Sequence, residues 1–138
     1  MSIEIDDDYR PSDGEPFMNE RQTEYFRRKL KQWRDDILRE SRETLQHLQD
    51  DSSNHPDLVD RASSESDRSI ELRARDRQRK LISKIDSALK RIDDGSYGYC
   101  EATGEPIALK RLDARPTATL SVEAQERHER REKVYRDD

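Results

Sequence analysis

Apolar residues recur at alternating intervals of four and three along residues 20–50. The set consists of Phe26, Leu30, Trp33 and Ile37, and Leu45 and Leu48 resume it. Arg, Lys, Glu and Gln occupy most of the positions between them. This spacing places apolar side chains on one helix face and predicts a long amphipathic α-helix. Asn19 is expected to cap the helix, with Gln22 as its capping-box partner.

A second stretch, residues 58–94, repeats the same spacing. Its apolar residues include Leu81, Ile85, Ala88 and Ile92. The residues between the two stretches, 50–57, are Asp, Ser, Asn, His and Pro, which favour turns. Because two long helices joined by a short loop usually lie antiparallel, residues 17–94 are predicted to form a coiled-coil hairpin. Its tip is expected near residues 50–62.

The apolar seam of this hairpin is interrupted towards the predicted tip. Ser41, Thr44, Ser66 and Arg77 occur where a purely structural coiled coil would have apolar residues. We interpret the distal half of the hairpin as a surface exposed for a partner.

Residues 95–138 follow a different pattern. Gly95 is expected to end the second helix, and Gly104, Pro106 and Pro116 break up the apolar positions that follow. This predicts a small globular knuckle with short strands or turns, and then a C-terminal helix rich in Glu and Arg. Residues 1–16 are interpreted as an acidic flexible tail. Because long helices make up most of the remaining chain, the predicted fold class is mainly α.

Composition supports a helical pair over one large core, since 30% of the residues are hydrophobic and 43% are charged. The net charge of -5 is concentrated in the first 20 residues, and the remainder is nearly neutral. A sequence-specific DNA-binding protein usually has a basic excess, so this class is disfavoured. No apolar run is long enough for a membrane span, and no signal peptide is recognised. A single cysteine excludes an internal disulfide and favours the reducing cytoplasm. The chain is expected to be a monomer.

Acidic residues concentrate at the predicted tip. Asp57 and Asp60 are three residues apart and would share a helix face, with Asp50 and Asp51 nearby. They could simply cap the second helix. Alternatively they could hold Mg²⁺ or contact polar groups of a partner. Two carboxylates make a weak magnesium site, so contact with a partner is favoured over catalysis, and no enzymatic activity is expected.

One cysteine lies in a spacing typical of zinc ribbons. If Thr103, Ser121 and Ala124 were cysteines, together with Cys100 they would complete a C-x₂-C-x₁₇-C-x₂-C pattern. Neutral hydroxyls are poor zinc ligands and alanine provides none, so we expect no bound zinc and no other cofactor. Cys100 is expected to be a buried small hydrophobe, with a redox role as the alternative.

Several motifs together resemble the DksA family, bacterial transcription factors that bind RNA polymerase. The tip segment Asp-Leu-Val-Asp-Arg-Ala, residues 57–62, is similar to the family signature Asp-x-x-Asp-x-Ala. Three further segments continue the resemblance: Glu-Leu-Arg-Ala-Arg-Asp-Arg-Gln-Arg-Lys-Leu-Ile at 71–82, Tyr-Gly-Tyr-Cys-Glu at 97–101 and Arg-Leu-Asp-Ala-Arg-Pro-Thr at 111–117. It covers about residues 17–136.

The resemblance implies a role in the stringent response. Proteins of this family insert the hairpin into the secondary channel of RNA polymerase and, with ppGpp, repress ribosomal RNA promoters and activate some biosynthetic promoters. By motif match, Asp57, Asp60 and Ala62 would be the tip residues that act near the polymerase active site.

The ppGpp pocket is likewise implied by the resemblance. The pocket, shared with the polymerase, would draw on Lys84 and Arg115, with Leu81 nearby. Gln125 stands where the family usually has a lysine, so one cation of the pocket is missing. The ppGpp response is therefore expected to be weaker unless another base substitutes.

Two alternatives to a polymerase-binding regulator remain at this point. A Gre-like factor also uses an acidic-tipped hairpin, and its acids recruit Mg²⁺ for transcript cleavage. A coiled-coil scaffold would need no function at the tip at all.

Overall fold

The structure, a computed structural model, describes residues 3–51 and 58–137, with the side chains of residues 48, 51, 58–64 and 135–137 outside the description. The residues so described form the helices α1 (Glu20–Asp51), α2 (Leu58–Asp94), α3 (Leu109–Ala114) and α4 (Val122–Asp137). Within the described residues, extended pairing is limited to one antiparallel bridge between Tyr99 and Pro106. The mainly helical fold class is confirmed.

The chain divides into two compact units. The knuckle unit comprises Met1–Leu30 and Ser87–Asp138, and the hairpin unit comprises Lys31–Asp86. The sequence-based boundaries had assigned all of residues 17–94 to the hairpin. The structure instead groups the beginning of α1 and the end of α2 with the knuckle, because these helix segments share its apolar core.

The knuckle unit contains most of the buried apolar side chains. Phe26 and Leu30 of α1 and Ala88 of α2 are fully buried, and the rings of Phe26 and Tyr97 lie 5.6 Å apart. The core also includes Ile92, Cys100, Ile107, Leu109, Leu112 and Ala124. The predicted helix faces of this unit are therefore confirmed, and the core joins them to α3 and α4.

The hairpin unit has a much smaller apolar interior. Ile37 and Ile85 are buried. Arg34 Nε lies 2.7 Å from Asp86 Oδ1, and His47 Nε2 lies 3.5 Å from Glu71 Oε1. From the first pair to the second, the residue number rises on α1 and falls on α2. The two helices are therefore antiparallel in this unit, as predicted.

Both helix ends flanking the knuckle show the capping expected from sequence. The Gln22 N–H donates to Asn19 Oδ1 at 2.8 Å, as predicted for an N-cap. The predicted capping box is wrong, because Gln22 Oε1 accepts from the Met18 N–H while the Asn19 N–H donates to the Pro16 carbonyl. Gly95 has a φ of 83°, and the N–H groups of Gly95 and Ser96 donate to the carbonyls of Ile92 and Arg91. This is a Schellman motif, which requires a left-handed residue and explains the glycine.

The segment before α1, interpreted from sequence as a flexible tail, makes specific contacts. Gln22 is fully buried; its Oε1 accepts a hydrogen bond from the Met18 N–H, and its Nε2 donates to the Ser12 carbonyl. The Tyr9 hydroxyl donates to Glu15 Oε2 at 2.6 Å. The tail pattern could not reveal the contacts with Gln22, because their partner is a single polar residue on the apolar side of α1.

The same segment also contacts the knuckle. The rings of Phe17 and Tyr99 pack edge to face at 5.3 Å. A Cβ on Gly98 would lie 3.2 Å from side-chain atoms of Phe17 and Met18, so a glycine is required for this close approach. Among the described residues, no helix is long and apolar enough to cross a membrane.

We predict that Gln22→Ala lowers the free energy of unfolding by about 1–3 kcal/mol, because it leaves the Met18 N–H and the Ser12 carbonyl without their partner. Urea denaturation followed by circular dichroism measures this. The matched control is Gln32→Ala, since Gln32 is exposed on the same helix and its Nε2 donates to Asp36 Oδ1 one turn away. Equal effects of the two substitutions would contradict the prediction.

Candidate functional site

The predicted tip lies at the beginning of α2. Asp57 lies outside the described residues. Asp60 and Ala62 belong to the first two turns of α2, but their side chains are not described. The acidic pair therefore stays a prediction, both as a helix cap and as a contact site.

The described part of the hairpin unit nearer the tip is polar inside. The side chain of Glu71 is 23% exposed. Oε2 of Glu71 and Oε1 of Gln78 are buried and have no hydrogen-bond partner among the described residues. On the outside, Leu45, Ile70 and Leu72 are exposed. Few apolar contacts and unsatisfied polar atoms lower the cost of local rearrangement, which agrees with the interpretation of this half as a surface for a partner.

The residues expected at the ppGpp pocket belong to both units. Leu81 and Lys84 lie on α2 in the hairpin unit, where Leu81 is half-buried and Lys84 is exposed. Arg115 and Gln125 belong to the knuckle unit. Leu81 and Lys84 are described within one unit, and Arg115 and Gln125 within the other. The ppGpp pocket therefore stays a prediction.

Within the knuckle unit, Arg115 is the C-cap of α3. Its N–H donates to the Arg111 carbonyl at 2.7 Å, and its side chain is exposed. Arg111 Nε donates to the Leu120 carbonyl at 2.8 Å, so Arg111 supports the loop before α4. Gln125 Nε2 donates to Glu129 Oε1 at 3.1 Å, one turn further along α4.

The four positions of the zinc-ribbon spacing meet around the sulfur of Cys100. Cys100 is 2% exposed, and the Ser121 N–H lies 3.4 Å from its Sγ. Ser121 Oγ accepts from the Ala124 N–H, and Ala124 is buried. Thr103 Oγ1 accepts from the Glu105 N–H. The knuckle thus closes on hydrogen bonds at the places where a zinc ribbon has ligands.

These hydrogen bonds also change the acidity of the thiol. Burial by itself would raise the pKa of Cys100. Hydrogen bonds from the Thr103 side chain and from the N–H groups of Ser121, Thr103 and Ala102 outweigh it and lower the pKa to about 6. The interpretation of Cys100 as a buried residue is confirmed, but its surroundings stabilise a thiolate and are not purely apolar.

A cluster that the sequence did not indicate joins α1 to α3. The Tyr25 hydroxyl donates to Asp113 Oδ1 at 2.5 Å. Lys29 Nζ donates to both the carbonyl and Oδ1 of Asp113 at 2.6 Å. Tyr25 and Lys29 share a helix face, but 84 or more residues separate them from Asp113. Nothing in the local pattern connects residues so far apart.

Two family models match the chain in succession. The model described as "DnaK suppressor protein DksA, N-terminal domain" matches residues 22–92. The model described as "Prokaryotic dksA/traR C4-type zinc finger" matches residues 95–130.

The second description implies a zinc ion held by four cysteines, which the residues of this chain do not fit. Of the four clustered positions only Cys100 has a thiol. Ser121 Oγ and Thr103 Oγ1 are engaged by backbone N–H groups, and Ala124 has no donor atom. Among the described residues, no group of three or more His, Cys, Asp or Glu side chains could hold a metal ion.

Full-length relatives agree with the family models. The chain is 74% identical over 131 residues to "RNA polymerase-binding transcription factor DksA" of Caulobacter vibrioides, covering 95% of this chain and 92% of that protein. It is 48% identical over 125 residues to the protein of the same name from Escherichia coli, covering 91% and 83%. The solved structure of transcription factor DksA2 from Pseudomonas aeruginosa matches with a TM-score of 0.80 and 43% identity, covering 85% and 90%. The chain therefore belongs to the DksA family.

Proposed function

We propose that this protein binds RNA polymerase in the cytoplasm and regulates transcription initiation, with no enzymatic activity of its own. The observation that carries the proposal is the 74% identity, over 95% of the chain, to a relative named for binding RNA polymerase. The polar and weakly packed seam of the hairpin unit supports the proposal. A coiled coil with a purely structural role would have an apolar seam, whereas a polar seam is better suited to contacts with a partner. The protein acts as a monomer and makes no sequence-specific DNA contacts.

The hairpin tip is the proposed acting part. Asp57, Asp60 and Ala62 enter the secondary channel and perturb the polymerase active site, which represses ribosomal RNA promoters and activates biosynthetic promoters. The negative charge of the tip acts on the polymerase, while contacts elsewhere on the hairpin supply binding.

We predict that Asp60→Asn preserves polymerase binding but abolishes repression of a ribosomal RNA promoter, because the substitution removes charge and keeps shape. A charge-assisted contact contributes about 1.5–3 kcal/mol, which corresponds to a factor of roughly ten or more in an equilibrium constant, so repression should be lost even at protein concentrations that saturate the polymerase. In-vitro transcription and polymerase pull-down measure the two effects. Asp67→Asn, an equal charge change at an exposed position of α2, is the control.

The same assays distinguish the alternatives. Efficient transcript cleavage in stalled elongation complexes would support a Gre-like factor and contradict the proposal. A failed pull-down with the unaltered chain would favour a coiled-coil scaffold. Loss of polymerase binding in Asp60→Asn would show that the tip anchors the protein, contrary to the proposal.

We also propose ppGpp as the effector, bound with the help of Leu81, Lys84 and Arg115. The cations suit an anion rich in phosphate, and Arg115 provides a planar donor set on an exposed side chain. Gln125 contributes no charge, which makes the response to ppGpp weaker than in relatives that carry lysine there.

We predict that Gln125→Lys strengthens the response to ppGpp about tenfold, since one charge-assisted contact is added. The ppGpp concentration for half-maximal repression, measured with RNA polymerase present, reports the change. Gln32→Lys adds the same charge at an exposed site on α1 and should leave that concentration unchanged. If the Gln125→Lys variant needs the same ppGpp concentration for half-maximal repression as the unaltered chain, Gln125 is not part of the pocket.

We propose further that the knuckle functions without zinc. At the four ligand positions, Cys100 accepts a hydrogen bond and Ala124 is buried. The apolar core of the unit provides the stability that a structural zinc ion would otherwise supply.

We predict that the purified chain contains far less than one zinc per molecule, and that a chelator leaves its melting temperature unchanged, because three of the four ligands are absent. Elemental analysis and thermal denaturation measure this. The variant T103C/S121C/A124C is the matched control, which should bind zinc and become sensitive to the chelator. Stoichiometric zinc in the unaltered chain would overturn the proposal.

A further inference from the structure

We propose that Asp113, held by Tyr25 and Lys29, is a positioning residue that fixes the end of α3 from which Arg115 projects. This inference rests on the proposed role of Arg115 in binding ppGpp. All four residues belong to the knuckle unit.

Helix α3 needs support from outside itself. It has six residues, Leu109–Ala114, and isolated helices of this length are unstable in water. Leu109 and Leu112 are buried and hold one face of α3 against the core. Its N-cap, Ala108, makes no side-chain hydrogen bond, so the apolar face alone does not fix the polar end of the helix.

The cluster on α1 supplies the missing contact at the C-terminal end. The carbonyl of Asp113 lies in the last turn, where helix carbonyls lack an intrahelical partner. Lys29 Nζ donates to this carbonyl and to Asp113 Oδ1, each at 2.6 Å. A cation at this place also interacts favourably with the helix dipole. Lys29 therefore acts as a cap delivered from another helix.

Tyr25 completes the cluster through the same carboxylate oxygen, 2.5 Å from its hydroxyl. Burial by itself would raise the pKa of Asp113, but the hydrogen bonds from Lys29 and Tyr25 outweigh it and lower the pKa. Burial, followed by the bond to Asp113, raises the pKa of Tyr25 to about 12. At neutral pH the carboxylate is ionised and the phenol is a donor, so both bonds persist.

Arg115 follows Asp113 by two residues, so the contacts that hold Asp113 also restrict the backbone of Arg115. Its N–H is bound to the Arg111 carbonyl at 2.7 Å, and its own carbonyl accepts from the Ala118 N–H at 2.9 Å. Its backbone is thus ordered on both sides. Its exposed side chain takes part in no ion pair within the part of the chain that the structure describes. An ordered backbone lowers the entropy lost when the guanidinium binds an anion.

The test is a double-mutant cycle between Asp113→Ala and Arg115→Ala, measured as the ppGpp concentration for half-maximal repression by the full chain with RNA polymerase. We expect each single substitution to raise that concentration about three- to tenfold. If Asp113 acts through Arg115, the double variant should be no worse than Arg115→Ala alone. Repression without ppGpp should stay unchanged in the Asp113→Ala variant.

Two further variants separate positioning from general stability. Asp113→Asn keeps an acceptor for Tyr25 and Lys29 and should recover most of the response. Tyr25→Phe removes one donor and, as the milder change, tests the cluster if Asp113→Ala fails to fold. The control is Asp93→Asn, which removes an exposed carboxylate 3.6 Å from Arg27 in the same unit and should leave the ppGpp response unaltered.

The outcomes are distinct. Additive effects of Asp113→Ala and Arg115→Ala, or an unchanged ppGpp response in both Asp113→Ala and Tyr25→Phe, would overturn the positioning role while leaving ppGpp binding by Arg115 intact. An unchanged response in Arg115→Ala would overturn the proposed effector site and the positioning role with it.

Discussion

Burial of a small set of large side chains in the knuckle unit is the constraint on which the rest of that unit depends. Phe26, Ile107 and Leu112 are fully buried, and they come from α1, the loop after the bridge and α3. Each such burial contributes about 1.5–3 kcal/mol. In a chain with 30% hydrophobic residues, there are few residues for a second core of this kind, so the apolar contacts concentrate here.

The hairpin unit shows the consequence of that concentration. Ile37 and Ile85 are buried, while Leu45, Ile70 and Leu72 remain exposed. In the part of the chain that the structure describes, Glu71 and Gln78 each leave a buried oxygen without a partner, and such atoms cost about 1–3 kcal/mol apiece. A surface of this composition is poorly stabilised by its own contacts. It is suited to exchanging some of them for contacts with the proposed polymerase partner.

The knuckle illustrates how hydrogen bonds can stand at the positions of metal ligands. Cys100 accepts from the Ser121 N–H, and Tyr97 donates to the Pro116 carbonyl within the core. The Glu101 N–H donates to the Thr119 carbonyl. Together these bonds join the turn at Cys100 to the loop before α4, which are the two halves that a zinc ion joins in a four-cysteine ribbon.

The sequence by itself determined α1, α2 and α4, the apolar faces of α1 and α2, and the caps at Asn19 and Gly95, because these depend on residues three or four positions apart. It did not predict α3 (Leu109–Ala114). Motifs in the same sequence also identified the family. Only the tertiary structure decided that residues 3–19 pack on α1, that hydrogen bonds lower the pKa of Cys100, and that Tyr25 and Lys29 hold Asp113. These contacts join residues whose separation along the sequence follows no helical or strand period. In addition, the identity of a polar residue does not show whether its side chain faces solvent or contacts a residue that the folding of the core brings close.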